Sequence, residues 1–289
     1  MHPGKITWIA IGCLVGGSAA FWAVKTCFRN SGVGAASSKK IIVERETPLP
    51  MEVVLRHKKG NPFEAAHHLS RSLSAQDIDN LYHFLRDKKN TCFALKNELM
   101  TALRDQKKAP PGLTALFLEL YRDPEQNPVI RDYALQHLCL WYEQVADGEK
   151  SQIEQALWDA LNEKQTSIAG TALVALAHLS EKNPQLDSGK VKDAALQLAN
   201  DPACGELARI TALQVCGNLG AKEILPVALD LAKNSQDTPL RISAIAALGE
   251  VGGREVQPLL KKLSKNSNTL LQLAAQAALQ KIRNRAPNA

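Results

Sequence analysis

Twelve residues, Arg209-Ile-Thr-Ala-Leu-Gln-Val-Cys-Gly-Asn-Leu-Gly220, return 32 positions later as Arg241-Ile-Ser-Ala-Ile-Ala-Ala-Leu-Gly-Glu-Val-Gly252. The echo runs on past the glycines, because Lys222-Glu-Ile-Leu-Pro-Val-Ala-Leu-Asp-Leu-Ala-Lys-Asn-Ser235 returns as Arg254-Glu-Val-Gln-Pro-Leu-Leu-Lys-Lys-Leu-Ser-Lys-Asn-Ser267. Each period holds two helical segments. One such unit cannot bury its own apolar face, so copies must stack, and the expected fold is all-α, an α-α superhelix or solenoid. The 45% hydrophobic composition is rich in alanine and leucine with only 5% aromatics, which suits helices packed close together.

Further copies follow from the same pattern. Ala134-Leu135, Ala172-Leu173, Ala212-Leu213 and Ala244-Ile245 take equivalent positions at spacings of 38, 40 and 32, and Ala275, with Leu279 and Ile282, lies 31 further on. Arg131, Arg209 and Arg241 each stand three residues before the shared alanine. Variable spacing places the insertions in loops, where extra length costs little. Gly217 and Gly249 fall where a side chain would hold a partner helix away, and Gly220 and Gly252-Gly253 end the first helix. Pro226 and Pro258 fit the first turn of the second helix. Upstream, Ser74-Ala-Gln-Asp77 reads as a helix cap, followed by helical segments over 94–103, 113–121 and from Pro128 to Trp141.

These units resemble HEAT repeats, including the phycobilisome-lyase HEAT-like variety. The residues that carry the likeness are Pro239-Leu-Arg241, Pro128-Val-Ile-Arg131, the run from Ala244 to Gly249, and the Lys/Arg-Glu-Ile/Val start of the following helix. The likeness is close over 205–285, fair over 124–200 and loose over 62–123. It implies a superhelix that serves as a protein-binding scaffold, although some such proteins are enzymes or bind nucleic acid.

Ahead of the repeats, Ile6 to Val24 is a run of 19 residues without a charge, bracketed by Lys5 and Lys25. A helix of that length reaches about 28 Å, enough for a bilayer core. Ile6, Trp8, Leu14, Phe21, Trp22 and Val24 mark the expected membrane anchor, with the aromatics at its ends. A cleaved signal peptide ending near Ser18-Ala-Ala20 is the competing reading; length and Trp22 favour the anchor. Lys25, Arg29, Lys39 and Lys40 favour a cytoplasmic solenoid, whereas a short basic start before one apolar run favours export. Both sides stay open for this single-pass membrane protein. The expected domains are then 1–25 as anchor or signal, 26–61 as a flexible basic linker, 62–123 as degenerate helical hairpins and 124–289 as HEAT-like repeats.

Charge is unevenly placed. The chain has 35 Lys/Arg against 29 Asp/Glu; residues 1–61 hold nine of the former and three of the latter, leaving 26 of each over 62–289. A neutral globular part lacks the basic face that phosphate backbones demand, so nucleic acid is not an expected partner. Residues 254–285 are the local exception, with seven basic residues against Glu255 alone. Arg254, Lys261, Lys262 and Lys265 are therefore the candidate partner patch, to be weighed against a solvated cap of the terminal repeat.

The search for chemistry finds no phosphate loop, nucleophile elbow, HExxH or calcium loop. His67-His68 and His137-Leu-Cys139 have spacings that cannot face one metal from a helix. The six cysteines lack regular spacing, and Cys216 reads as a small buried hydrophobe. Trp141-Tyr142 and Trp158 offer either an exposed aromatic ledge or core. No cofactor or metal is expected. The favoured function is a membrane-tethered, non-catalytic scaffold that binds a protein partner. The alternatives are a HEAT-like enzyme or nucleic-acid-binding protein, and a structural subunit of an envelope or secretion complex.

Overall fold

A computed structural model describes residues 60–285 together with Met51 and Val54. By its contacts the chain divides into Met1–Pro48 and Leu49–Ala289, and everything described belongs to the second unit. The expected anchor residues Ile6, Trp8, Leu14, Phe21, Trp22 and Val24 lie outside the described residues. Within the stretch expected as linker, Met51 and Val54 are helical, and Val54 is fully buried in the core.

Beyond Met51 and Val54, the described residues hold thirteen α-helices and three 3-10 turns, with no strand among them. The helices are α1 (Pro62–His67), α2 (Ala75–Arg86), α3 (Phe93–Arg104), α4 (Leu113–Arg122), α5 (Pro128–Trp141), α6 (Asp147–Ala160) and α7 (Ser167–Lys182). They continue as α8 (Ser188–Asn200), α9 (Glu206–Asn218), α10 (Leu225–Asn234), α11 (Thr238–Val251), α12 (Gln257–Leu263) and α13 (Thr269–Arg285). Their starts are chemically marked. Ser74 Oγ accepts the Asp77 amide at 3.1 Å, Asn127 Oδ1 accepts the Val129 amide at 2.9 Å, and Asp237 Oδ1 accepts the Leu240 amide at 2.6 Å. Each satisfies an N–H that the first turn leaves without a partner. At the end of α9, Gly220 takes φ +65°, and the Ala221 amide reaches back to the Cys216 carbonyl at 2.9 Å. That left-handed residue closes the helix as the repeat pattern requires.

Packing follows parity. The odd helices touch in succession from α1 to α13 and form one continuous layer, while α4, α6, α8, α10 and α12 each pack against the odd helix that follows. An inner odd helix thus meets two odd neighbours and an even one, so its apolar surface must wrap most of the way round. α11 accordingly buries eight residues, from Leu240 to Val251, whereas α10 buries only Ala228, Leu231 and Ala232. The five repeat alanines, Ala134, Ala172, Ala212, Ala244 and Ala275, are all fully buried. They sit in the odd layer, where the small side chain permits close approach.

The pairing differs from the order suggested by the repeats. α10 packs on α11, the first helix of the next copy, across a link of only Ser235 to Asp237. α9 instead reaches α10 through Gly220 and the 3-10 turn Lys222–Ile224. The glycines have the corresponding role. A side chain at Gly249 would meet Ala278 Cα at 2.8 Å, so the partner it admits is α13 of the same layer.

The repeat arginines tie the layers together. Arg131 Nε donates to the Tyr121 carbonyl at 2.7 Å, Arg209 Nε to Ala199 at 3.3 Å and Arg241 Nε to Ala232 at 3.3 Å. In each case the acceptor is a last-turn carbonyl of the preceding even helix, where a cation also suits the helix dipole. Arg131 alone adds a bidentate pair with Glu163, at 2.8 and 2.6 Å.

Candidate protein-interaction face

Even helices cover one side of the odd layer, and along its last three described helices the opposite side forms a strip of partly to fully exposed residues. Along α9 that strip shows Leu207, Ile210 and Gln214; along α11, Pro239, Ile242 and Ala246; along α13, Leu270, Leu273 and Ala277. These residues stand at the same positions relative to the repeat alanine, five and two before it and two after. Three of them are large apolar side chains more exposed than covered: Leu207 at 61%, Leu270 at 59% and Leu273 at 56%. An aligned apolar row across three neighbouring helices is the kind of exposure that marks an interaction surface. Apolar residues at helical spacing read as core in the sequence, so this row was not foreseen.

The predicted basic patch is split by the geometry. Lys261 and Lys262 lie in the last turn of α12 and Lys265 in the turn after it, all at the end where α13 begins. Arg254 precedes the helix, at its opposite end, in the 3-10 turn Arg254–Val256. The first three form one cluster and Arg254 stands apart. At the far end of α13, Lys281 pairs with Glu250 and Arg285 donates to the Gly252 carbonyl at 2.7 Å.

The residues examined for chemistry have structural partners. Trp141 is buried, with Nε1 donating to Thr114 Oγ1 at 3.1 Å, and Tyr142 is buried with its hydroxyl bonded to Glu154 and, at 2.9 Å, to Asn183. With both rings covered and Trp158 only partly exposed, no aromatic ledge forms. Cys139 and Cys216 are buried free thiols, each pushed up to about 12 by desolvation. Among the described residues, no three His, Cys, Asp or Glu side chains converge as a metal group would require, and no helix is long and apolar enough to cross a membrane.

His137 is buried against Phe117, their ring centroids 5.5 Å apart. Its Nε2 lies 3.0 Å from Asn97 Oδ1 and its Nδ1 3.4 Å from Arg104. Only a neutral ring protonated at Nε2 suits both neighbours, donating to the first and accepting from the second. Burial, with the Arg104 charge adding to it, holds the imidazole down to about 3. In the unfolded chain it titrates near about 6.5. The unfolded state therefore gains a proton that the native state refuses as pH falls below 6.5. The neutral ring's contribution is full above that pH and drains away toward pH 3, by up to about 4 kcal/mol. Urea midpoints from pH 7 to 4 should fall more steeply for the parent than for His137→Gln; parallel curves would show that the ring is not held neutral.

Residues 193–280, from within α8 into α13, match the family model described as HEAT repeats. This segment is similar to HEAT repeats. Solved structures similar to the chain include an engineered protein, 17% identical over 81% of this chain and 67% of that one, with a TM-score of 0.40. Human deoxyhypusine hydroxylase in complex with glycerol is similar at 17% identity and TM-score 0.34, over 81% of this chain and 95% of that one. Kap121p is similar at 14% identity and TM-score 0.44; 81% of this chain covers 33% of it. A search of curated proteins gives no match. The exposed apolar row, Leu207 to Leu273, falls wholly inside the HEAT-repeat segment.

Proposed function

We propose that this chain is a membrane-tethered, non-catalytic scaffold that binds a partner protein through the uncovered strip of its odd-numbered helices. The observation that carries the reading is the exposure of Leu207, Leu270 and Leu273, with the half-buried Ile210 and Ile242 at equivalent positions, across adjacent HEAT repeats. Keeping such side chains in water forgoes about 25 cal/mol for every Å² of apolar surface, which a docked protein would recover. The uncharged stretch from Ile6 to Val24 supports the tether, and the basic clusters behind it suit an anionic leaflet.

Two measurements test the reading. Full-length protein should stay with membranes through an alkaline carbonate wash, and deletion of residues 6–24 should release it; a full-length chain that washes off removes the tether. For the scaffold, Leu207→Lys and Gln214→Lys alter exposed positions of the strip outside α13. Together they should eliminate co-purification of a stoichiometric partner that Lys190→Glu and Asp230→Lys, on even helices, retain. The opposite pattern would overturn the scaffold face.

A further inference from the structure

α13 packs on α11 through one flank. Ala278 on its rear receives α11 at Gly249, in a contact too close for any side chain. Away from that contact Leu270, Leu273 and Ala277 follow one another at i, i+3 and i+7, all exposed. That spacing is the footprint of one helix lying along another. The charges around it are uncompensated. Along the earlier helices cations meet carboxylates across the rungs: Arg131 with Glu163, Lys164 with Asp201, Lys192 with Glu223. Among the described residues Lys261, Lys262, Lys265 and Arg283 have no carboxylate partner, and Asn268, which caps α13, brings Lys265 to the end that carries Leu270.

We propose that α13 and the α12–α13 turn dock an acidic amphipathic helix of another protein, laid along this exposed row. This rests on the scaffold reading and names its partner's chemistry. A second copy is disfavoured by charge, since antiparallel pairing of α13 with itself sets Lys261, Lys262 and Lys265 against Arg283, and like charges brought together across an interface repel. An anionic membrane would match the lysines, but the i, i+3, i+7 row on a layer built from helix-to-helix contacts matches a helix.

The test displays a library of helix-length peptides, with leucine fixed at i, i+3 and i+7 and all other positions random, to the full chain held in neutral phosphatidylcholine nanodiscs. Selected peptides should be net acidic. In anisotropy titrations their affinity should fall at least about tenfold for L270S/L273S and again for K261E/K262E/K265E. Neutral or basic winners, winners indifferent to both variants, or no winners beside strong flotation with phosphatidylglycerol vesicles would each overturn the proposal. The co-purified partner separates the two readings. Loss with the α13 variants supports the docking site. Retention there but loss with Leu207→Lys and Gln214→Lys overturns the docking site and keeps the scaffold, and retention throughout overturns both.

Discussion

Valine in place of Gly249 should destabilise the chain by about 3 kcal/mol, at the upper end of what overpacking a close contact costs. The first added atom would lie 2.8 Å from Ala278 Cα and 2.9 Å from its Cβ, so α13 must move as a body. Alanine tests the same contact more gently, because its helix propensity returns about 1 kcal/mol relative to glycine. The second-site change Ala278→Gly should restore most of the loss in the Gly249→Ala background, a coupling visible in a double-mutant cycle. Gly217 is the control. Its added atom would meet Glu250 Cγ at 3.1 Å, part of a side chain that can swing aside, so Gly217→Ala should cost little. Urea midpoints and amide exchange over 254–285 read the result. A neutral Gly249→Val would mean that α11 and α13 are not in contact as described.

Lys96→Met should cost about 2 kcal/mol, although it removes a charge from the interior. Lys96 is fully buried, yet its Nζ donates to the Leu85 carbonyl at 3.1 Å and the Asp87 carbonyl at 2.6 Å. These carbonyls belong to the C-terminal end of α2, the negative end of the helix dipole. Burial pulls the ammonium below its ordinary value, and the Asp87 charge works against that pull. Methionine matches the length of the chain but leaves both acceptors dry and unpaired, at about 1–3 kcal/mol for each such group. Relief of the ammonium's desolvation offsets part of this. Amide exchange in the last turn of α2 should quicken with the drop in midpoint. A variant as stable as the parent would show that desolvation outweighs the two bonds.

How far the sequence could be read depends on whether a residue's role repeats. The alanines at 134, 172, 212, 244 and 275 recur because the odd layer makes the same demand of each copy, and all five are buried. Caps at Ser74 and Asp237 were legible because their chemistry is local. Lys96 and His137 were not, since each solves a single problem in the N-terminal hairpins, and only tertiary contact turns a polar residue on a helix into a buried one. The phase of the pairing was hidden for another reason: a periodic pattern looks the same whether a unit is cut before or after its second helix. Leu207, Leu270 and Leu273 carry the spacing of core residues, and only the structure distinguishes the side of the odd layer that even helices cover from the side they leave in water.

The layered contacts also bear on how the chain is made. Among the described residues the main contacts of each helix reach no more than two helices away, and a long-reaching side-chain hydrogen bond, Asn183 to Tyr142, spans 41 residues. Low contact order of this kind favours rapid folding. It also allows folding to proceed vectorially during synthesis, each newly emerged hairpin condensing on the one before it, because no rung waits for a distant segment. Growing on a ribosome, each new odd helix would leave an apolar flank in water until the next one condenses on it.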